Sequence, residues 1–482
     1  MLIFITSVIL LIVGYLFYGL FAEKVFGADA DKKMPAKRVN DGIDYVELSS
    51  YKAFLIQFLN IAGLGPVFGA LMGALYGPAA LLWIVFGSIF AGAVHDYIAG
   101  RISLHFRGQS LTFLVEKFFG RHAKRFFIVF ITFFLLLVGA VFASSPARLL
   151  AAVTNGGYVW WISAVFVYYF IATLLPVDKI IGRVYPLFAF LLLATTLALC
   201  VCMFVKGTVL YPELTLHNIH PKNLPMFPLM FVTIACGAIS GFHSTQSPMV
   251  ARCLKSEKTA RAIFYGSMIT EGFIALVWAT LGMSFYGSVQ GLLDAGALTN
   301  TGNVVKEIAT FYLGNVGGIL TVLSVVVLSI TSGDTAFRSA RLNIADVLRM
   351  AQKKILSRIY ICVPIFTVGI ALCCFEIGTV WRYFGWGNQV LATITLWICS
   401  LYLKHFHRWY FITLLPAIFM TVVCSTYIFQ DKIGFSLPMD YSVGLGILSA
   451  IVCTALFFLK KGKWRLPKVK SVTMSNRRVS FH

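Results

Sequence analysis

The sequence predicts an all-α integral membrane protein with about thirteen transmembrane helices. Of its 482 residues, 59% are hydrophobic and 12% are charged, whereas about a quarter of the residues in a soluble domain are charged. Apolar runs of roughly 20 residues recur from end to end, and each can cross a hydrocarbon core of about 30 Å as a helix. The run Phe126 to Phe142 is apolar on every side, which excludes the alternating strands of a barrel.

The first apolar run, 2–21, is predicted to be a span that stays in the protein. It has no basic segment in front of it and no A-x-A-like site behind it, although both mark a secretory signal peptide. The later runs add twelve more spans. The predicted spans are 2–21, 53–77, 78–100, 126–145, 157–175, 185–205, 225–247, 262–286, 315–335, 359–376, 380–403, 409–429 and 441–459.

The basic residues lie almost entirely on one side of these spans. With the N-terminus outside, the inner connections hold 34 of the 40 Lys and Arg residues and the outer connections hold six. Because Lys and Arg are retained on the cytoplasmic side, the asymmetry predicts an outer N-terminus and a cytoplasmic C-terminus. The net charge of +21 is therefore explained by topology rather than by nucleic-acid binding, and the tail 460–482 is expected to meet anionic lipid.

Two predicted spans contain residues that break a helix. The second span carries NIAGLGP at residues 60–66, and the seventh carries the polar run Gly237 to Pro248. Backbone groups freed by Gly and Pro have to face protein, a bound ion or a water-filled cavity. Ser247 and Pro248 are expected to begin a new half-helix. Simple helix packing is the alternative for either break alone.

The two breaks lie five spans apart, in spans that run in opposite directions. They predict a five-helix repeat at 53–205 and an inverted copy at 225–403. The other parts are a helix and loop at 1–52, two extra helices at 404–459 and the tail 460–482. Broken helices at matching places mark the substrate site of many transporters. The predicted substrate-binding residues are Asn60, Ala62, Gly63, Gly65, Pro66, Gly241, Phe242, His243, Ser244, Thr245 and Gln246.

Several polar residues at membrane depth are candidates for ion or proton coupling, because such groups are costly there. Asp96 with Arg101, and Asp334 with Arg338, could instead form structural ion pairs. Glu271 has no such neighbour in the sequence and is the first candidate for the protonated group. The coupling candidates are His95, Asp96, Glu271, Ser329, Thr331, Ser332 and Asp334.

The hydroxyl groups of the ninth span suggest a different coupling ion. Ser329, Thr331 and Ser332, with carbonyl groups of Ile61 and Ala62 in the first break, would supply the oxygen ligands of a Na⁺ site. Ser and Thr hydroxyls also bond back to their own helix, which is their commoner use. The expected coupling ion is therefore H⁺ or Na⁺, and no other cofactor is expected.

Signatures of enzymes and of ATP-driven transport are missing from the chain. It contains no GxxxxGK[ST], HExxH or GxSxG motif, and its ten cysteines form no CxxC pair. These motifs would carry phosphate binding, hydrolysis and metal binding. We expect a protein that is not an enzyme, takes a small-molecule substrate, contacts membrane lipid and binds no nucleic acid. The sequence indicates no protein partner.

Several segments resemble the carbon starvation protein A family. The resemblance runs from the DGIDY segment at Asp41 to about Ala392. The segments that carry it are IAGLGPVFGALMGALYGP (Ile61 to Pro78), GAVHDY (Gly92 to Tyr97), ACGAISGFHSTQSPMVAR (Ala235 to Arg252), SGDTAFRSARLNIAD (Ser332 to Asp346) and RYFGWGNQVLA (Arg382 to Ala392).

This resemblance implies a bacterial inner-membrane protein of the amino acid/polyamine/organocation superfamily, with a LeuT-like 5+5 inverted repeat. It also implies peptide or pyruvate uptake during nutrient limitation. By this likeness the two breaks face the substrate, and the hydroxyl groups before Asp334 complete a cation site.

The expected function is cation-coupled symport of short peptides or of a small carboxylate such as pyruvate. Positive helix ends at Pro66 and Pro248 would face the substrate carboxylate. One alternative is a channel or nutrient sensor on the same fold, which a protonophore's lack of effect on uptake would reveal. Another is a membrane-embedded enzyme that uses His95, Asp96 and His243, which chemical change in the recovered solute would reveal.

Overall fold

The computed structural model is a bundle of helices. It describes residues 2–27, 34–39, 45–154, 156–174, 177–209, 215–348, 350 and 355–460. The predicted basic tail from residue 461 on, and residues 41–44 of the DGIDY segment, lie outside these ranges. Within the described ranges, nine helices are long and apolar enough to cross a membrane, and a bent helix pair makes a tenth candidate. The prediction of an all-α, multi-span membrane protein is confirmed.

The helices fall where the apolar runs predict them. The short apolar helix α8 and the longer, more polar helix α16 occupy two further predicted spans. In chain order the helices are α1 (Leu2–Phe26), α2 (Pro35–Val39), α3 (Ser50–Ile61), α4 (Gly65–Tyr76), α5 (Ala79–His105), α6 (Leu111–Phe119), α7 (Arg121–Thr154), α8 (Tyr158–Leu174), α9 (Val177–Val205), α10 (Met226–Thr233), α11 (His243–Ala251), α12 (Glu257–Phe285), α13 (Val289–Asp294), α14 (Thr301–Leu348), α15 (Ile355–Cys373), α16 (Ile377–His405), α17 (Phe411–Gln430) and α18 (Met439–Leu459).

The second predicted span bends where glycine and proline interrupt it. Helix α3 ends at Ile61, α4 begins at Gly65, and the two meet at 58°. Pro66 stands in the first turn of α4, where its missing N–H removes no hydrogen bond from the helix. All residues from 55 to 70 are buried. The predicted interruption is confirmed, and it lies inside the bundle rather than against lipid.

The seventh predicted span is also interrupted, but its second half begins earlier than expected. Helix α11 begins at His243, and Pro248 lies inside it. The prediction that Ser247 and Pro248 begin the half-helix is therefore wrong. The amide and hydroxyl of Ser244 already donate to the Gly241 carbonyl oxygen at 3.0 and 2.6 Å. The first turn thus forms before the proline is reached.

Helix α14 is not one straight rod. Gly314 has φ 71° and ψ −178°, a conformation that glycine adopts without steric cost. The discontinuity separates the first part of α14 from the membrane span predicted at 315–335.

The two broken segments touch in the middle of the bundle. A side chain on Gly65 would overlap the Cys236 side chain, and one on Gly237 would lie 4.0 Å from the Pro66 backbone. A side chain on Gly241 would collide with backbone atoms of α16. Small residues are therefore required where these segments pass one another.

Gly65→Ala is expected to destabilise the protein, because its methyl group has no room beside Cys236. Overpacking of this kind costs about 1–3 kcal/mol, so the melting temperature of the purified protein in detergent should fall. Gly444→Ala in α18 is the matched control, since nothing lies within 4 Å of its added methyl group. Equal melting temperatures for the two variants would contradict the close contact of the breaks.

Candidate functional site

Three helices bring ionisable side chains together beside the second break. His95 and Asp96 come from α5, His243 from the first turn of α11, and Glu271 from α12. All four side chains are fully buried. The sequence predicted a substrate role for His243 and a coupling role for the other three, whereas the structure joins all four in one cluster.

The four groups form a continuous series, which we call the carboxyl–imidazole chain. Asp96 Oδ1 lies 2.7 Å from His95 Nδ1, and Asp96 Oδ2 lies 2.8 Å from His243 Nδ1. On its other side, His243 Nε2 lies 3.4 Å from Glu271 Oε2. Neither Glu271 oxygen has a hydrogen-bond partner among the described residues. Glu271 is therefore an open end of the chain, and Nε2 of His95 at the other end also has no hydrogen-bond partner among the described residues.

The positions of the hydrogen atoms in the carboxyl–imidazole chain depend on the charge of Asp96. A carboxylate only accepts hydrogen bonds, so an ionised Asp96 requires a hydrogen on Nδ1 of both His95 and His243. A neutral His243 then presents its acceptor nitrogen, Nε2, to Glu271. A protonated Glu271 can pass its proton to this nitrogen, and Asp96 stabilises the imidazolium that results. The contact can thus hold a proton on either of two residues.

Asp96 does not pair with Arg101, as one of the two sequence interpretations suggested. Arg101 lies 3.0 Å from Glu257 Oε2 and donates to the Gly27 carbonyl oxygen at 2.7 Å. Because Arg101 follows Asp96 by five residues, it projects from a different side of α5. The alternative of a structural Asp96–Arg101 pair is therefore wrong, and the imidazole groups of His95 and His243 meet the charge of Asp96 instead.

The other coupling candidates lie on α14. Asp334 pairs with Arg338 at 3.7 Å, which is the structural alternative foreseen for it. The hydroxyls of Ser329 and Thr331 donate to carbonyl oxygens of their own helix, whereas Ser332 Oγ is buried without a hydrogen-bond partner among the described residues. The Na⁺ site at these hydroxyls stays a prediction.

Phe142 of α7 lies against both breaks. Its ring would be 2.7 Å from a side chain on Gly63, and its centroid is 6.2 Å from that of Phe242 in an edge-to-face contact. Phe384 of α16 packs on the same ring at 5.7 Å. Two of the predicted substrate residues, Gly63 and Phe242, therefore share one aromatic neighbour.

Amide side chains near the breaks keep unpaired oxygen atoms. The side-chain oxygens of Asn60 and Gln246 are buried and have no hydrogen-bond partner in the described part of the chain. Gln246 Nε2 donates to Thr245 Oγ1 at 2.8 Å. Because buried acceptors are normally satisfied, Asn60 and Gln246 can receive N–H or O–H groups of a bound solute.

Asn388 of α16 holds the second break in place, although it is not among the residues predicted from the sequence. Its Oδ1 accepts hydrogen bonds from Ser240 Oγ at 3.1 Å and from the Phe242 amide at 2.8 Å. Its carbonyl oxygen also accepts from the Gly241 amide at 3.2 Å. A signal was present, because an amide side chain inside a predicted span needs partners much as a charged group does.

Comparison with known proteins gives the relatives of the chain. The family described as carbon starvation protein CstA matches residues 1–160, 145–279 and 315–427. An uncharacterized membrane protein of Haemophilus influenzae is 43% identical over 61% of this chain and 94% of that protein. The Escherichia coli peptide transporter CstA is 25% identical, over 89% and 82% respectively. The E. coli pyruvate/proton symporter BtsT is 28% identical, over 57% and 47%.

Among solved structures, MhsT in complex with L-phenylalanine is similar in fold. The match has a TM-score of 0.56 at 13% identity and covers 86% of this chain and 99% of that chain. At this identity the likeness shows the fold alone. The expected LeuT-like fold class is confirmed, whereas the number of helices and the inverted repeat stay predictions.

Asn388→Ala is expected to loosen the second break, because it leaves the Phe242 amide and the Ser240 hydroxyl without an acceptor. An unsatisfied buried group costs about 1–3 kcal/mol, which a lower melting temperature in detergent would report. The control is Asn303→Ala, which removes a hydrogen bond to Glu307 in an exposed setting. If the two variants have the same melting temperature, Asn388 does not hold the break.

Proposed function

Since the chain belongs to the carbon starvation protein CstA family, we propose that it is a proton-coupled secondary transporter that imports a short peptide or a small carboxylate such as pyruvate. Its relatives include a peptide transporter and a pyruvate/proton symporter. The buried carboxyl–imidazole chain, with Glu271 facing His243 at 3.4 Å, carries the proposal. In this proposal, the solute crosses the membrane chemically unchanged.

The residue types in the carboxyl–imidazole chain suit a proton rather than a larger ion. Acid and base alternate along it, so a proton can be taken up by one group and passed to the next after a small movement of side chains, such as a closer approach of Glu271 to His243. All four side chains are fully buried, where an uncompensated charge is costly. A proton that enters together with a carboxylate adds no net charge to the site, which favours symport.

His243 links the proton to the substrate. It occupies the first turn of α11, directly after Phe242, whose amide is held by Asn388 at 2.8 Å. The same break carries Gln246 with its unpaired oxygen. A change of charge on His243 therefore acts on the segment that would contact the solute. Solute and proton then favour the same state of the break, and this is the physical basis of coupling.

A Na⁺-coupled cycle is the second candidate, and Ser332 supports it. Its hydroxyl is buried without a hydrogen-bond partner in the described ranges, and α14 packs against α3 and against the start of α4. The carbonyl oxygens of Ile61 and Ala62 would complete the site, as the sequence suggested. In such a cycle the carboxyl–imidazole chain would be structural.

The proposed location is a bacterial cytoplasmic membrane, with the N-terminus outside. The distribution of Lys and Arg supports this orientation, and the family supports the membrane. With this orientation, the Arg101–Glu257 pair would lie on the cytoplasmic side and the end of α15 on the outer side. The solute would thus enter from the side where α7, α9 and α15 end.

Glu271→Gln is expected to separate binding from coupled uptake. The amide keeps the shape of the side chain and can donate to His243 Nε2, but it cannot release a proton. In proteoliposomes, uptake of labelled pyruvate or dialanine driven by a pH gradient should fall to the level of protein-free liposomes. Counterflow exchange of the same solute should persist.

The control for this variant is Glu307→Gln, which changes an exposed carboxyl of α14. It should transport like the wild type. A Glu271→Gln protein that still concentrates the solute in response to the pH gradient would rule out Glu271 as the coupling group. If Na⁺ is the ion, Glu271→Gln should be nearly silent, and Ser332→Ala should raise the Na⁺ concentration needed for half-maximal uptake.

A further inference from the structure

A partly open cleft lies at the end of the bundle that the proposed orientation places outside. Counted with the solvent space at its mouth, it measures about 220 Å³. Its lining includes Ser144 and Arg148 from α7, Cys373 from the end of α15 and Val380 from α16. None of these residues belongs to the carboxyl–imidazole chain, so the cleft is a separate feature of the molecule.

Arg148 gives the cleft a positive charge that no acidic residue in the described part of the chain pairs with. Its side chain is exposed, and its guanidinium carbon lies 4.9 Å from the centroid of the Tyr158 ring. Arg382, also predicted outside, differs because it lies 3.9 Å from Asp431. A guanidinium binds a carboxylate through two parallel N–H···O bonds. Arg148 is therefore available to an anion that enters the cleft.

Helix α7 connects the cleft with the region of the two breaks. Phe142 lies six residues from Arg148, about 9 Å along a helix, and its ring packs against Phe242. Pro146 lacks the N–H that would bond to the Phe142 carbonyl oxygen. The Tyr169 hydroxyl donates to this oxygen instead, at 2.9 Å. Phe142 is thus held between the cleft and the breaks.

We propose that the cleft is an outer binding site for the carboxylate group of the transported solute, which Arg148 holds before the solute passes Phe142. The Ser144 hydroxyl, one turn away on α7, adds a hydrogen-bond donor, and Val380 adds an apolar wall. This inference rests on the proposed function, since it assumes that the solute carries a carboxylate. A lipid phosphate offers the same anionic oxygens, so the test has to separate the two sources.

Two adjacent thiols make the test possible without new cysteines. Cys373 lines the cleft, whereas Cys374 is exposed and is not part of the lining. In nanodiscs of phosphatidylcholine, pyruvate and dialanine should slow the modification of Cys373 by a neutral thiol reagent, measured by mass spectrometry, and leave Cys374 unaffected. Methyl pyruvate and the C-terminal amide of dialanine, which lack the carboxylate, should give no protection.

Arg148→Gln should abolish this protection and raise the KM for uptake about two- to fivefold, the size expected for an exposed ion pair, with kcat unchanged. Lys206→Gln, which removes a basic residue at the same end of the bundle but outside the cleft, should keep both wild-type protection and wild-type KM. Because labelling needs no ion gradient, its result does not depend on whether Glu271→Gln abolishes coupled uptake.

Three results would overturn the outer site: no protection in the wild-type protein, equal protection by the two analogues that lack the carboxylate, or wild-type protection and KM in Arg148→Gln. A fourth concerns lipid. If phosphatidylglycerol protects Cys373 in the nanodiscs and neither carboxylate does, the cleft binds a lipid headgroup and the proposal is wrong.

Discussion

Two membrane spans that lose their own backbone hydrogen bonds in the buried centre of the bundle impose the constraint on which the rest of the structure depends. Each freed amide or carbonyl needs a new partner, because lipid supplies none. Asn388 closes the second break with its side chain and its carbonyl, and Ser88 of α5 donates to the Gly237 carbonyl oxygen at 3.0 Å. Gly65 and Gly237 contribute as well, because the absence of a side chain at these positions lets the two broken segments lie against each other.

The carboxyl–imidazole chain lies against this closure and shares its elements. Helix α5 supplies both Ser88, which bonds to the break, and Asp96, which bonds to His243 at 2.8 Å. A buried charge is expensive unless it is paired, so the protonation state of the chain and the arrangement of the break cannot vary independently. In the proposed symport cycle, a solute that binds at the break therefore assists protonation through the same few hydrogen bonds.

The sequence predicted the fold class and the place of both breaks, because apolar length and helix-breaking residues are local signals. It failed where the answer depends on partners far apart in the chain. Arg101, close to Asp96 in sequence, pairs with Glu257, and Asp96 pairs with His243 of another helix. Pro248 is tolerated inside α11, since the earlier residues of that helix already form a turn. Asn388 was not predicted, because its hydrogen-bond partners Ser240 and Phe242 lie far from it in the sequence. The inverted repeat stays a prediction.

In the proposed cycle, solute binding and protonation of the carboxyl–imidazole chain are linked. This linkage can be measured by adding pyruvate or dialanine to the purified protein in weakly buffered solution and following the pH with an indicator dye. Binding should take up protons in the wild-type protein, and Glu271→Gln should bind the solute without this uptake. Solute binding with no proton uptake by the wild-type protein, or with equal uptake by both proteins, would contradict the proposed cycle.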